Sequence, residues 1–272
     1  MKNTSEFDIN QRRWDEMANI HSKSRFYDVK GFKEGKTSLY GLEQRELGDV
    51  EGKSILHLMC HFGLDSMSLA RKGAHVTGVD FSQGMVDMAT KTNEELGLSA
   101  KFMQGNVYDV PKLIEEKFDI VYMTYGLLCW LPDLPKLFEV IADRLNPGGF
   151  LYMAEFHPYG MLMDVEDDES YRVGGPYFVK KEPELIDNDR TYVDTEEKIQ
   201  NTKSYEWQHT LMELLNGLFT SGLHMEYFNE HPFSSFQVHP DMELREDKHW
   251  YFRHPEKFNM PFLFSLKAFK PE

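Results

Sequence analysis

The chain has 272 residues, 41% hydrophobic and 28% charged, with a formal net charge of −15 at pH 7. That length suits one large domain with a sizeable core, or one domain with an elaborated lid. The acidity argues against a nucleic-acid partner, because phosphate binding wants a basic face, and it suits a cationic cofactor or substrate. The best basic cluster, Lys180-Lys181, is followed at once by Glu182. No apolar run reaches bilayer-spanning length, and the opening MKNTSEFDINQRRWDEM lacks the apolar core of a secretory signal. The expectation is a cytoplasmic protein with no membrane partner. Its two cysteines, Cys60 and Cys129, show no metal-ligand spacing and stay thiols in a reducing compartment.

In chain order, residues 1–50 read as an N-terminal helical cap: a helix around Asn10–Met17, a turn rich in aromatics, and a second helix carrying Leu39, Leu42 and Leu47 and ending at Gly48. Trp14, Phe26 and Tyr27 either pack this cap on the core or close it over a ligand. Ile55 to Cys60 is an apolar run fit for a buried strand. His61-Phe62-Gly63 breaks it, Asp65 or Ser66 caps a helix that ends at Gly73, and Ala74 to Val79 form a second strand finishing on Asp80. A helix capped by Ser82 runs to about Leu96, with Met85, Met88 and Ala89 as its apolar stripe. Lys101–Gln104 is a third strand leading into Gly105-Asn106-Val107-Tyr108-Asp109, and Phe118–Thr124 a fourth that exits through Tyr125-Gly126. Pro132 onward gives an amphipathic helix, Asn146-Pro147-Gly148-Gly149 ends it, and Phe150–Phe156 is a fifth strand delivering Glu155 and His157.

From Tyr159 to Glu206 the pattern turns to an acidic run (Asp164 to Glu169) and short alternating pieces, which reads as an inserted antiparallel lid over residues 159–206. Residues 207–272 return to the core, with a helix over Trp207–Leu218, a sixth strand near SGLHMEYFNEH and an antiparallel seventh at PFLFSLKAF. His231–Met260 has no clear place. The strand–loop–helix–strand unit puts the loop after Cys60 and the Asp80 carboxylate at the carboxyl edge of an open sheet, where ligands bind.

These residues carry a resemblance. LHLMCHFG is similar to the first motif of class I S-adenosylmethionine (SAM)-dependent methyltransferases, usually an acid followed by three alternating glycines, and GVDFSQGMVDMA resembles the segment after it. His57 stands at the acid's place, and Met59 and His61 at two of the glycines; Gly63 is kept. A subgroup of small-molecule methyltransferases looks similar in carrying a Cys-His pair here, and the Pro-Gly-Gly turn before the fifth strand is common in the family. The resemblance implies an α/β, doubly wound, seven-stranded Rossmann-like methyltransferase sheet, with a SAM-binding core at residues 51–158. It implies SAM across Met59, Cys60, Gly63, Asp80, Phe81, Met85, Asn106, Val107 and Tyr125. Asp80 would hold the ribose hydroxyls, Gly63 would admit the ligand to the backbone, and the Asn106 amide oxygen would accept from the adenine.

The activity so implied is methyl transfer to a small molecule by in-line displacement, in which the protein orients the nucleophile and manages one proton. His157 is the first candidate base, since a strand-end histidine can titrate near neutrality; it can equally be structural. Tyr125 is the second. Trp14, Tyr27, Trp130, His157, Trp207 and His209 are candidate substrate contacts, and each of the aromatics can equally be packing. No metal is expected, because strand alternation aims His57 and Cys60 at opposite faces. Two other readings are a non-catalytic binding protein on the same fold, which would explain the lost glycines, and an NAD(P)-dependent oxidoreductase, which shares the strand-end acid but wants GxGxxG.

Overall fold

A computed structural model describes residues 5–165, 170–178, 182–256 and 260–272. Residues 166–169 of the acidic run and the Lys180-Lys181 pair lie outside them. The chain opens with α1 (Glu6–Lys23), started by Ser5 in a capping box with Asp8, followed by α2 (Val29–Lys33) and α3 (Gly41–Glu46). Then come β1 (Ser54–Leu58), α4 (Leu64–Arg71), β2 (His75–Asp80), α5 (Gln83–Glu95), β3 (Lys101–Gln104), α6 (Val110–Leu113), β4 (Phe118–Thr124), α7 (Leu134–Arg144) and β5 (Leu145–Phe156). Two short hairpins follow, β6 (Met163–Val165) with β7 (Tyr171–Val173) and β8 (Glu184–Asp187) with β9 (Lys203–Glu206). The rest is α8 (Leu211–Thr220), β10 (His224–His231), β11 (Phe233–Ser234), β12 (Met242–Leu244), β13 (Trp250–Phe252) and β14 (Leu263–Phe269).

The main sheet has the order β10-β14-β5-β4-β1-β2-β3, with β14 antiparallel to both neighbours and the other core strands parallel. β1 lies inside the sheet between β4 and β2, and its Ile55, Leu56 and Leu58 are fully buried. A parallel strand covered on both faces needs such a continuous apolar run. One apolar layer joins β1 and β4 to α7 and α8 through Leu137, Ile141, Leu214 and Leu218; the other packs β1 and β5 against Leu39, Leu42 and Leu69. The reversal of strand order beside β1 is the topological switch where such folds bind ligands.

Four boundaries differ from the sequence expectation. Gly63, in a left-handed conformation, caps α4, so Asp65 sits inside the first turn instead of capping it. The fifth strand begins at Leu145, and Asn146–Gly149 bulge out between the pairs Phe118–Leu145 and Ile120–Phe150. The last helix starts after Thr210, whose capping box with Glu213 leaves Trp207 and His209 in the lead-in segment. The segment before β14 forms a three-stranded sheet, β11-β13-β12. Among the described residues no helix is long and apolar enough to cross a membrane.

Helix α1 holds the β8–β9 hairpin to the core. The Arg13 guanidinium donates to the carbonyls of Asn188 (2.7 Å), Arg190 (2.8 Å) and Thr202 (2.9 Å), and Asn10 exchanges two hydrogen bonds with the Tyr205 backbone. Hydrogen bonds from a charged donor contribute about 1.5–3 kcal/mol each and are not additive. Arg13→Ala is expected to cost about 2–4 kcal/mol in urea denaturation and to open residues 188–202 to limited proteolysis. An unchanged midpoint and cleavage pattern would contradict this anchoring.

Candidate functional site

The site begins where β1 and β2 end. Asp80 is buried, and its two carboxylate oxygens accept from the backbone N–H of His61 (2.8 Å) and of Ser82 (2.9 Å). One acid thereby fixes both the loop after β1 and the entry to α5. Burial pushes the Asp80 carboxyl up to about 6, against the pull of those two N–H groups. In the loop itself, Met59 (φ 57°) and His61 (φ 55°) take the left-handed conformation usual for glycine. The chain therefore follows a glycine-type path at the two positions where glycine is missing.

Beside Asp80 in the chain lies a narrow, open-mouthed slot. Met59, Val79, Phe81, Asn106, Val107 and Trp130 line it, and Phe7, Gly105 and Leu131 complete it. Of the expected ligand-contacting residues, Met59, Phe81, Asn106, Val107 and Trp130 thus converge on one cleft, and Asp80 lies between two of its lining residues in the chain, Val79 and Phe81. The Asn106 side-chain oxygen is already engaged, capping the turn at Tyr108 N–H (3.1 Å). The Phe81 carbonyl is held by the amides of Gln11 (2.6 Å) and Gln104 (2.9 Å), which fixes where its ring stands.

An aromatic cluster roofs the loop. Trp14 meets Trp130 (5.2 Å) and His61 (5.7 Å) edge-on, and Tyr27 stacks on His61 (5.0 Å). His61 Nε2 lies 3.0 Å from His21 Nδ1, and His21 Nε2 meets the Thr191 hydroxyl at 2.7 Å. Burial, with the Arg13 charge, pushes His21 down to about 4. The Tyr27 and Tyr192 hydroxyls share a short hydrogen bond. Trp14, Tyr27 and Trp130 are therefore neighbours, as substrate contacts would need to be.

Other expected residues lie elsewhere. Met85 is fully buried with Met17, Phe62 and Met67, so it is core and does not reach the slot. Gly63 also has a packing reason: a Cβ there would come within 2.5 Å of Cε1 of Phe102 and 3.0 Å of the Ala89 Cβ. The Cys60 thiol turns inward toward Gly78, leaving only its backbone at the loop. Trp207 stacks on Phe7 (6.0 Å), and His209 Nε2 is bonded to the Leu131 carbonyl (2.7 Å); both brace the slot wall from behind.

His157 does not have a base's freedom. Its ring is 4% exposed; Nδ1 accepts from Tyr159 N–H (3.2 Å), and Nε2 lies 2.9 Å from the Glu230 carboxylate, though poorly aligned for a hydrogen bond. Burial lowers its proton affinity and Glu230 partly restores it. Glu155, beside it, neither orients that ring nor stands free: it accepts from the backbone N–H groups of Gly126 (2.6 Å), Leu127 (2.6 Å), Leu128 (3.2 Å) and Phe156 (2.6 Å), fixing the exit of β4. Tyr125 (φ 49°) packs edge-on against Tyr40 (5.3 Å) and faces Glu43, outside the slot.

Sequence reasoning missed Phe7, Gly105 and Leu131 at the slot and His21, Thr191 and Tyr192 over the loop. Phe7 was within reach: Phe7, Gln11 and Trp14 share one face of α1 at i, i+4, i+7, and each touches the site. No local signal pointed to Thr191 or Tyr192, which arrive from the hairpin insertion.

Residues 55–149 match the family described as "Methyltransferase domain". A ubiquinone biosynthesis O-methyltransferase of Aeromonas salmonicida is 26% identical over 148 residues, covering 54% of this chain and 59% of the relative. A protein of the same name from Coxiella burnetii is 32% identical over 105 residues, covering 39% and 44%. The chain thus spans about half the length of the curated relatives it matches. Among solved structures, a SAM-dependent methyltransferase from Mesorhizobium loti superposes with a TM-score of 0.59 at 18% identity, over 88% of this chain and 100% of that one. One from Clostridium acetobutylicum gives 0.57 at 15%, over 95% and 99%. The fold is that of the class I SAM-dependent methyltransferases.

Gly63 supplies a direct test of the loop's packing. Gly63→Ala meets both the left-handed backbone and the Phe102 ring, and is expected to cost about 2–4 kcal/mol. Adding Phe102→Ala should recover part of that loss in thermal denaturation; equal stability of Gly63→Ala and the parent would contradict the packing role.

Proposed function

We propose that the protein is a SAM-dependent methyltransferase acting on a small-molecule acceptor. The observation that carries this reading is the Asp80 carboxylate, buried at the end of β2 and bonded to the glycine-type loop, between Val79 and Phe81, which line an apolar slot with Met59 of that loop. The residue types suit an adenosine: the Phe81 ring and the apolar Val107 side chain for the base, and the Asp80 carboxylate for ribose hydroxyls. Each Asp80 oxygen spends one lone pair on a backbone N–H and keeps another to accept with. When bound, SAM supplies a methyl group on an electrophilic sulfonium.

The chain's own contribution is placement and exclusion of water. Met59 and Trp130 line the slot, Trp14 and Tyr27 roof the loop through His61, and the α1-anchored hairpin closes over them with Tyr192. Orientation of this kind can supply as much as about 7–11 kcal/mol of a displacement barrier. Because both His157 nitrogens already have protein neighbours, proton removal by that ring is not part of the proposal. The names of the O-methyltransferase relatives support a small acceptor, as does an enclosed aromatic roof. The left-handed Met59 and His61 favour this reading over that of a protein whose loop has lost its ligand, since strain is retained where it serves a site.

The test is calorimetric titration with S-adenosylhomocysteine (SAH), with NADH as control. Micromolar SAH binding is expected, with NADH inert. Affinity should be full above pH 6 and fall as pH drops through about 6, since protonation removes a ribose acceptor. Asp80→Ala should abolish binding while the fold persists, and Asp80→Asn should remove the pH dependence. SAH affinity unaltered in Asp80→Ala, or NADH binding in place of SAH, would overturn the reading.

A further inference from the structure

A second groove opens at the amino edge of the main sheet, opposite the edge that carries Asp80. Ser54, His75, Lys101 and Phe118, the first residues of β1, β2, β3 and β4, all line it. Strand alternation says which side of the sheet it occupies. Phe102 covers Gly63 and Gly78 and packs with Met85 of α5. Lys101 and Met103 therefore face the other way, as do their β2 partners Thr77 and Val79.

A parallel sheet is ordinarily covered on both faces. On this face α7 covers β1 and β4, but the connection from β3 to β4 holds only the four-residue α6. Val79 is buried, whereas Thr77 and Met103 are half-buried and Leu113, at the end of α6, is 42% exposed. The cover gives out over the starts of β2 and β3. An apolar floor is left there, made by Met103, Leu113 and Ile114.

Two ammoniums line this groove, Lys101 from β3 and Lys117 from the turn before β4. Neither has a carboxylate partner among the described residues, and Glu116 is the one acid on the lining. Lys117 stands instead near another cation: burial and the Lys117 charge both lower the proton affinity of Lys270. A lysine on an edge strand ordinarily keeps other strands away, which would account for Lys101. Lys117 precedes an interior strand and has no such task. In a chain with 45 acidic and 30 basic side chains, lysines left without carboxylates beside an apolar floor are complementary to an acidic ligand.

The groove crosses four adjacent strand starts, β4-β1-β2-β3. Three strand spacings make roughly 14 Å, the reach of about four extended residues. The Thr77 and Ser99 hydroxyls on its lining have no protein partner among the described residues and can meet backbone amides. We propose that this groove docks an extended acidic peptide segment of a protein partner. Its carboxylates lie on Lys101 and Lys117, and an apolar side chain between them rests on Met103 and Leu113. The site is separate from the Asp80 slot and does not depend on the methyltransferase reading.

The test is selection from a bead-borne random heptapeptide library on the full chain, followed by calorimetry with the selected peptides. Selected sequences should carry two acids three or four positions apart with an apolar residue between them, and their affinity should fall as salt is raised. Lys101→Glu and Lys117→Glu should each weaken binding at least tenfold and leave the melting temperature unchanged. Leu113→Ser should weaken it at least threefold, and Lys112→Glu, outside the groove, should leave it as it is. Selection of neutral or basic sequences, no selection at all, or binding indifferent to both charge reversals would each overturn the proposal. So would tighter binding of dodecanedioate than of any selected peptide. Self-association that Lys101→Glu abolishes would also overturn it, by making a second copy the occupant.

Discussion

The site depends on one carboxylate and two backbone N–H groups. Asp80 ends β2, and by accepting from His61 and Ser82 it ties the loop after β1 to the start of α5. Left-handed backbone costs about 1–2 kcal/mol for each non-glycine residue, and Met59 and His61 both carry that cost. Hydrogen bonds to an ionised group, about 1.5–3 kcal/mol each, are of the size needed to offset it. The side chains at these positions are then free for other work: Met59 lines the slot and His61 stacks under Tyr27. Substitution of glycine here turns a bare backbone cradle into one wall of an aromatic chamber.

Buried acids divide the carboxyl edge of the sheet by function. Glu155 is satisfied by four N–H groups and shapes the exit of β4, and Asp80 accepts two and keeps lone pairs to spare. The same desolvation raises both, so the difference between scaffold and recognition lies in how many donors the chain itself provides.

The parallel strands were legible because each is an apolar run long enough for one strand and bounded by turn residues, and β1 to β5 fall where the pattern puts them apart from the early start of β5. That Phe81, Asn106 and Val107 meet at one cleft was legible because a strand's end fixes where its next residues stand. A motif gives position along the chain but not the direction of a Cβ: the Met85 side chain is buried in the core, and a Cβ on Gly63 would strike Phe102. His157 looked free because Glu230, 73 residues later on β10, reaches it only through sheet pairing across β14. Tyr192 was invisible for a similar reason. Its place over the loop comes from elements brought together by the fold, and no local spacing encodes it.

The most direct measurement is a crystal structure of the protein with SAH. The account predicts both ribose hydroxyls on Asp80, the base between Phe81 and Val107, and Met59 and His61 still at positive φ. A ligand seated elsewhere, or a loop that relaxes to negative φ and releases Asp80 when SAH binds, would contradict it.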